Sequence, residues 1–132
     1  MNYAFNITTP AQTPETNKLK TVMKLFRGLI NKVEIQFPPG PAGLLHVHIN
    51  RANHQVWPAN AESHYIGDDQ TIVIPAKYEL DQPPFQFECF TWNEDDTFDH
   101  LVIIRFDIEL AIPEQLLTPE YLAAQAELRG EL

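Results

Sequence analysis

The sequence has 132 residues, of which 44% are hydrophobic and 20% are charged, proportions that are typical of a folded domain and exclude a fibrous repeat or wholesale disorder. Its net charge of −9 argues against nucleic-acid binding, because a phosphate backbone requires a basic surface. The lone cysteine, Cys89, excludes a disulfide framework and a multi-cysteine zinc site.

The charge is distributed unevenly along the chain. Residues 1–78 carry seven basic and five acidic side chains, a net charge of +2, whereas residues 79–132 carry two basic and thirteen acidic side chains, a net charge of −11. The field of an acidic surface attracts basic proteins. We therefore expect a protein partner with a basic surface.

No segment reaches the length of about 18 consecutive apolar residues that spans a bilayer. The first six residues also lack the basic start and the apolar core of a signal peptide. We expect synthesis in a cytoplasm and no membrane contact.

Residues 1–17 are predicted to form an N-terminal arm or connector. Tyr3–Thr8 is typical of a short strand, which is either an edge strand of the domain or an arm that pairs with a neighbouring subunit. Residues 9–17 contain two prolines and no apolar period, as expected of an extended connector. In an arm, Tyr3, Phe5 and Ile7 are the side chains that we expect to contact the partner.

The residues that follow alternate hydrophobic and polar side chains in short segments that end at proline or glycine, the pattern of half-buried strands. Residues 18–26 fit either a helix or a strand, and we favour a strand. Thr71–Ile74 is β-branched throughout and predicts a buried strand that ends at Pro75. The longest strand is predicted at Leu101–Leu110. The side chains predicted to face inward are Val33, Ile35, Phe37, Leu45, Val47, Ile49, Trp57, Phe85, Phe87, Cys89, Val102, Ile104, Phe106, Ile108 and Leu110.

Seven or eight short strands without alternating helices predict a mostly β domain, an antiparallel β-sandwich or jelly roll, over residues 18–116. A short C-terminal α-helix is predicted over residues 117–132, since Thr118 and Pro119 form a typical helix start. Tyr121 and Leu128 lie on its apolar stripe. That stripe must pack either on the chain's own sandwich or on a neighbouring subunit.

His46 and His48 are the candidate metal ligands, because two histidines at positions i and i+2 of a strand point to the same side. Together with Gly40, their spacing resembles the opening of the first motif of cupins. The cupin motif continues with a ligand glutamate shortly afterwards, where this chain has Ala52 and Asn53. We therefore expect no metal and no other cofactor.

Four acidic residues crowd into the segment 94–99, namely Glu94, Asp95, Asp96 and Asp99. Oxygen ligands at this density can hold calcium, but the spacing of a calcium loop is missing. The segment is therefore either a solvated turn or a negative patch that attracts a basic partner.

The sequence offers little support for nucleophilic catalysis. Cys89 is predicted to face inward, where a thiol behaves as a small hydrophobic group. Ser63 stands next to His64 in sequence, an arrangement that rarely forms a nucleophile and its base. We therefore expect that the protein is not an enzyme.

Residues 27–110 contain the motifs Phe37-Pro38-Pro39-Gly40, His54-Gln55-Val56-Trp57-Pro58, Tyr78-Glu79-Leu80 with Pro83-Pro84, and Trp92-Asn93-Glu94-Asp95-Asp96-Thr97. These motifs resemble those of small β-sandwich structural proteins of tailed bacteriophage virions. The resemblance implies a capsid decoration or cement protein, or a minor head or neck component. It further implies a location in the virion, capsid subunits as partners, and a homo-oligomer, for which a trimer is the candidate.

Two alternatives stay open. A carbohydrate-binding or host-binding β-sandwich module would stack sugar on an exposed aromatic side chain, for which Trp92 and Tyr65 are the candidates. A cupin-like metalloenzyme would use His46 and His48. Glycan binding and metal content distinguish these alternatives from a capsid protein.

Overall fold

The computed structural model describes residues 1–110, which are mostly β-strand. The strands are β1 (Asn2–Thr9), β2 (Leu19–Lys24), β3 (Gly28–Phe37), β4 (Leu45–Arg51), β5 (His54–Trp57), β6 (Gln70–Leu80), β7 (Gln86–Asn93) and β8 (His100–Leu110). A 3₁₀ turn spans Glu15–Asn17. The helix predicted over residues 117–132, with Tyr121 and Leu128, lies outside the described residues.

The strands form two antiparallel sheets of four strands each. The first sheet has the order β1-β8-β3-β6, and the second has the order β2-β7-β4-β5. The apolar rows of the two sheets pack against each other and form the core. The prediction of a mostly β, sandwich-like domain is therefore confirmed for the described residues.

The core is built from the inward-facing rows that period-2 alternation predicted. Phe87 of β7 and Phe106 of β8 stack across the two sheets, with ring centroids 5.2 Å apart. Trp57 packs beside them, 5.1 Å from the ring of Phe87, and is 8% exposed. Its predicted core position is confirmed, as is the strand that we favoured within residues 18–26, which is β2.

The N-terminal segment is an edge strand and not a separate arm. β1 pairs with β8 along its whole length, from Asn2 opposite Asp107 to Thr9 opposite His100. Ile7 is 2% exposed within the core, and Tyr3 and Phe5 pack against the core. The prediction that residues 1–17 form a separate arm is therefore corrected. Residues 2–9 belong to the sandwich, because their pairing with β8 buries the apolar row of Tyr3, Phe5 and Ile7.

The prediction that a buried strand ends at Pro75 is wrong in both respects. β6 continues from Gln70 to Leu80, and it lies at the edge of the first sheet with Val73 53% exposed. Proline is tolerated in an edge strand because its missing N–H can face away from the neighbouring strand. The register between β3 and β6 shifts beside it, where Lys32 lies opposite Pro75 but Ile30 lies opposite Tyr78.

Candidate functional site

Four connections between the strands meet at one end of the sandwich, which we call the loop end. Its segments are residues 10–18, 38–44, 58–69 and 94–99. Backbone hydrogen bonds join them: the amide of Gln12 donates to the carbonyl of Asp95 at 2.8 Å, that of Glu94 to Leu44 at 2.9 Å, and that of Gly43 to Gly67 at 3.4 Å. The loop end is thus one connected surface.

The turn between β7 and β8 is organised by Asn93, whose side chain is buried. Its amide nitrogen donates to the carbonyl of Thr9 at 3.2 Å and to that of Phe98 at 2.9 Å. Its carbonyl oxygen accepts a hydrogen bond from the backbone amide of Asp95 at 3.0 Å. Asn93 therefore holds the turn to strand β1.

Asp95 is the internal member of the acidic segment. Its carboxylate accepts hydrogen bonds from the backbone amides of Thr97 at 2.9 Å and Phe98 at 3.2 Å, and lies 2.8 Å from Nε2 of His100. These contacts, the amide of Thr97 foremost, lower the pKa of Asp95. Asp95 shapes the turn and is not a free group on its surface.

The other predicted acids lie at the surface. Asp99 is exposed but accepts a hydrogen bond from the backbone amide of Ala11 at 2.9 Å. Glu94 and Asp96 are exposed. The adjoining loop adds Asp68, whose carboxylate accepts hydrogen bonds from the amides of Gly40 and Ala42, which lower its pKa. The structure thus brings several carboxylates to the loop end.

Sequence reasoning missed the exposed hydrophobic side chains of the same end. Phe98 is 65% exposed, Ile66 is 48% exposed and Leu44 is 36% exposed. Phe98 stands alone among polar residues, outside any alternating pattern. That isolation is the signal that could have identified it, since an apolar residue outside any alternating strand pattern is not predicted to face the core.

A second cluster of polar and aromatic side chains lies on the outer face of the second sheet. His46 of β4 stacks on Trp92 of β7, with ring centroids 4.7 Å apart and planes within 3°. His64, from the connection between β5 and β6, approaches both rings edge-on, at 4.7 Å from His46 and 4.8 Å from Trp92. The shared side predicted for His46 and His48 is confirmed, because residues of either strand alternate between the core and this face.

His48 is engaged through both ring nitrogens. Nδ1 lies 2.8 Å from the side-chain oxygen of Asn50, and Nε2 lies 3.1 Å from Nζ of Lys18. Since the oxygen of Asn50 can only accept and the ammonium can only donate, this network assigns the proton to Nδ1 of a neutral ring. Burial foremost, together with the charge of Lys18, lowers the pKa of His48.

His46 does not meet His48 in a ligand set. Its Nε2 lies 3.0 Å from Oε1 of Glu94, but the two groups are not aligned as a hydrogen bond requires. Burial lowers the pKa of His46, and Glu94 acts in the opposite direction. Among residues 1–110, no three histidine, cysteine or acidic side chains converge closely enough to hold a metal ion. A cation at His48 would also have to displace the ammonium of Lys18.

A cavity of about 370 Å³ lies beside this cluster. Its lining includes the side chains of Lys18, Gln55, Ser63 and Trp92. Trp92 is only 2% exposed, so the expectation that it forms an exposed stacking surface is wrong. The side-chain nitrogen of Gln55, with two N–H donors, lies 2.9–3.1 Å from three backbone carbonyl oxygens of the loop that follows, those of Pro58, Asn60 and Ser63, and so shapes the cavity wall.

Cys89 is buried between the two sheets, as predicted. Burial raises the pKa of its thiol to about 12, so the thiolate needed for nucleophilic chemistry does not form near neutral pH.

Of the residues predicted to bind a partner, Tyr3, Phe5 and Ile7 lie on the inner side of β1, away from the loop end. The described part of the chain contains no helix long and apolar enough to cross a membrane.

The sequence matches no protein-family model and shows no significant similarity to a curated protein.

Proposed function

We propose that this protein is a non-enzymatic structural subunit that binds a basic protein surface through its loop end. The more specific form of this proposal is a decoration or cement subunit that bridges the capsid subunits of a tailed bacteriophage virion. The observation that carries it is the exposure of Phe98 on a turn that hydrogen bonds hold in place and that also exposes Glu94, Asp96 and Asp99.

Phe98 has the properties of a binding anchor. A large aromatic side chain with 65% exposure loses contact with water when a partner covers it, and each Å² of apolar surface buried contributes about 25 cal/mol. Its backbone is fixed on both sides, because its amide donates to Asp95 and its carbonyl accepts from Asn93. A fixed anchor loses little conformational entropy on binding, which favours affinity.

The carboxylates around Phe98 favour a basic partner. Glu94, Asp96 and Asp99 are exposed within the same turn, and Asp68 adds a further negative charge at the loop end. Charges at the rim of an interface accelerate association with a surface of opposite sign and exclude surfaces of the same sign. We therefore expect salt to weaken the complex.

The strand order supports the capsid form of the proposal. The order β1-β8-β3-β6 facing β2-β7-β4-β5 is typical of a jelly roll, an architecture found in viral capsid and lectin domains. Fold alone does not determine function, so this support is by analogy. It agrees with the resemblance of the turn motifs to virion structural proteins.

The test is sedimentation of the purified protein with capsid shells assembled from the major capsid protein of the same genome. We expect the wild-type protein to pellet with the shells at a fixed stoichiometry. Phe98→Ser should reduce the bound fraction at least tenfold, and raising the salt concentration should release the wild-type protein. Asp96→Lys should also weaken binding to the shells.

Val73→Ser is the matched control, because Val73 is 53% exposed on β6 and lies outside the loop end. It should bind as the wild type does. Wild-type protein that stays in the supernatant would contradict the capsid form of the proposal. Binding that Phe98→Ser and Val73→Ser weaken equally would contradict the assignment of the surface.

A carbohydrate-binding module is the second candidate, and the cavity beside Trp92 favours it. A sugar would find donors in Lys18 and Ser63 and an acceptor in Glu62, which line the same cavity. A glycan array screened with wild-type protein and with Glu62→Ala tests this function. Specific glycans bound by the wild type and lost in the variant would support it, and silence of the array would count against it.

A further inference from the structure

The two sheets present four edge strands, which differ in how they resist pairing with another chain. The edges are β1 and β6 in the first sheet and β2 and β5 in the second. An edge strand exposes unpaired backbone groups, and proteins commonly block it with lysine, proline, irregular register or short length. The edges can therefore be compared one by one.

Three of the edges carry such features. β6 contains Pro75 and Lys77 and has a shifted register against β3. β2 has six residues and carries Lys20 and Lys24 on its outer side. β5 has only four residues and is followed by Pro58. Each of these strands is a poor template for a strand of another molecule.

β1 carries none of these features. It has eight residues and pairs with β8 in unbroken register. Residues 1–14 contain no charged side chain, and β1 itself contains no proline. Each molecule has a net charge of −9, so two copies repel each other overall. If they meet through β1, neither strand brings a charged side chain to the contact.

The pairing with β8 determines which backbone groups face outward. Met1 exchanges two hydrogen bonds of 2.8 Å with Ile108, so the odd-numbered residues of β1 direct their N–H and C=O groups to β8. The even-numbered residues then direct theirs to the open edge, where no strand of the described residues lies. These residues are Asn2, Ala4, Asn6 and Thr8.

We propose that a second copy of this chain pairs with β1 through its own β1, in the antiparallel sense, and joins the two first sheets into one continuous sheet. A two-fold axis through Phe5 would place Ala4 opposite Asn6 and Asn2 opposite Thr8 of the second copy. All of these side chains are uncharged, and on the inner side Phe5 meets its own equivalent. Aromatic cross-strand pairs of this kind stabilise sheets.

The symmetry makes the interface self-complementary and closed, which predicts a dimer. Because the net charges of the two copies repel, added salt should strengthen this dimer. The complex proposed for the loop end should respond to salt in the opposite direction. The dimer does not depend on the proposed function, and Phe98→Ser should leave it unchanged.

The experiment is multi-angle light scattering of the full chain over a range of concentrations, at low and high salt. We expect the wild type to change from monomer to dimer as its concentration rises. Asn6→Pro should abolish the dimer, because it removes one N–H that faces the open edge and spares the hydrogen bonds to β8. Ala4→Lys should do the same by placing two like charges across the interface.

Val73→Lys is the control, since it introduces the same charge on the exposed side of the edge strand β6. It should dimerise as the wild type does. If Asn6→Pro fails to fold, Ala4→Lys still decides the matter, because its side chain points to solvent. A wild type that stays monomeric at every concentration, a trimer, or a dimer that survives Ala4→Lys would each overturn the proposal.

Discussion

Replacement of Asn93 by alanine tests how the loop end is held together. The buried side chain makes three hydrogen bonds, to the carbonyls of Thr9 and Phe98 and from the amide of Asp95. In Asn93→Ala all three of these hydrogen bonds are lost, and the carbonyl of Phe98 and the amide of Asp95 no longer have their side-chain partner. The turn that presents Phe98 should therefore loosen.

The expected loss of stability follows from these three bonds. A typical hydrogen bond contributes about 0.5–1.5 kcal/mol net, and a buried group left without a partner costs about 1–3 kcal/mol. Since part of the turn reaches solvent, we expect Asn93→Ala to lower the free energy of unfolding by about 2–4 kcal/mol. Asn93→Asp should be at least as damaging, because it removes both donors and buries a charge.

Urea unfolding followed by tryptophan fluorescence measures this change. With an m-value of about 1–3 kcal/mol per molar urea, a loss of about 3 kcal/mol lowers the midpoint by about 1–3 M. Asn60→Ala is the matched control, because Asn60 is exposed. Its effect should stay within about 0.5 kcal/mol. If Asn93→Ala were as mild as this control, the reasoning about the turn would be refuted.

Three further outcomes follow from the core and the outer face of the second sheet. Phe87→Ala removes a ring that stacks on Phe106 and should cost about 3–5 kcal/mol in urea unfolding; a cost near that of an exposed position would show that the two sheets do not pack as described. Cys89 should not react with a thiol reagent in the native protein and should react fully in urea, because its thiol is buried with a pKa raised to about 12; labelling of the native protein would contradict its burial. The pKa of His48 is lowered from 6.5 in the folded state, so its contribution to stability is complete above pH 6.5 and is lost as the pH falls below that value. The unfolding free energy should then decline by at most about 1.4 kcal/mol per pH unit from this group, and His48→Gln should remove that part of the decline in a pH series of urea titrations.

Alternation predicted the local structure well because each strand buries one face. The inward rows of β3, β4, β7 and β8 emerged from a period of two, and the structure confirms them. The same rule predicted that His46 and His48 share a face. It could not predict that Lys18 contacts His48, because the two residues are brought together only when β2 and β4 both pair with β7.

The predictions for Pro75 and Trp92 were wrong because each outcome depends on spatial neighbours, which the sequence does not reveal. A proline predicts the end of a strand because it cannot donate to a ladder, but at the edge of a sheet, where Pro75 lies, no donor is needed on the open side. The carbohydrate-binding alternative requires Trp92 to be an exposed side chain on which sugar stacks. His46 and His64 cover its ring, which makes it 2% exposed.

The sequence by itself determined the class of the domain, the inward rows and the acidic segment, because these depend on composition and on a period of two. Only the tertiary structure decided that β1 is an edge strand of its own sheet, and that Phe98 is exposed among carboxylates at the loop end. The physical reason is that both features depend on contacts between residues that are far apart in sequence. Met1 bonds to Ile108 with a sequence separation of 107, and Gln12 of one connection bonds to Asp95 of another.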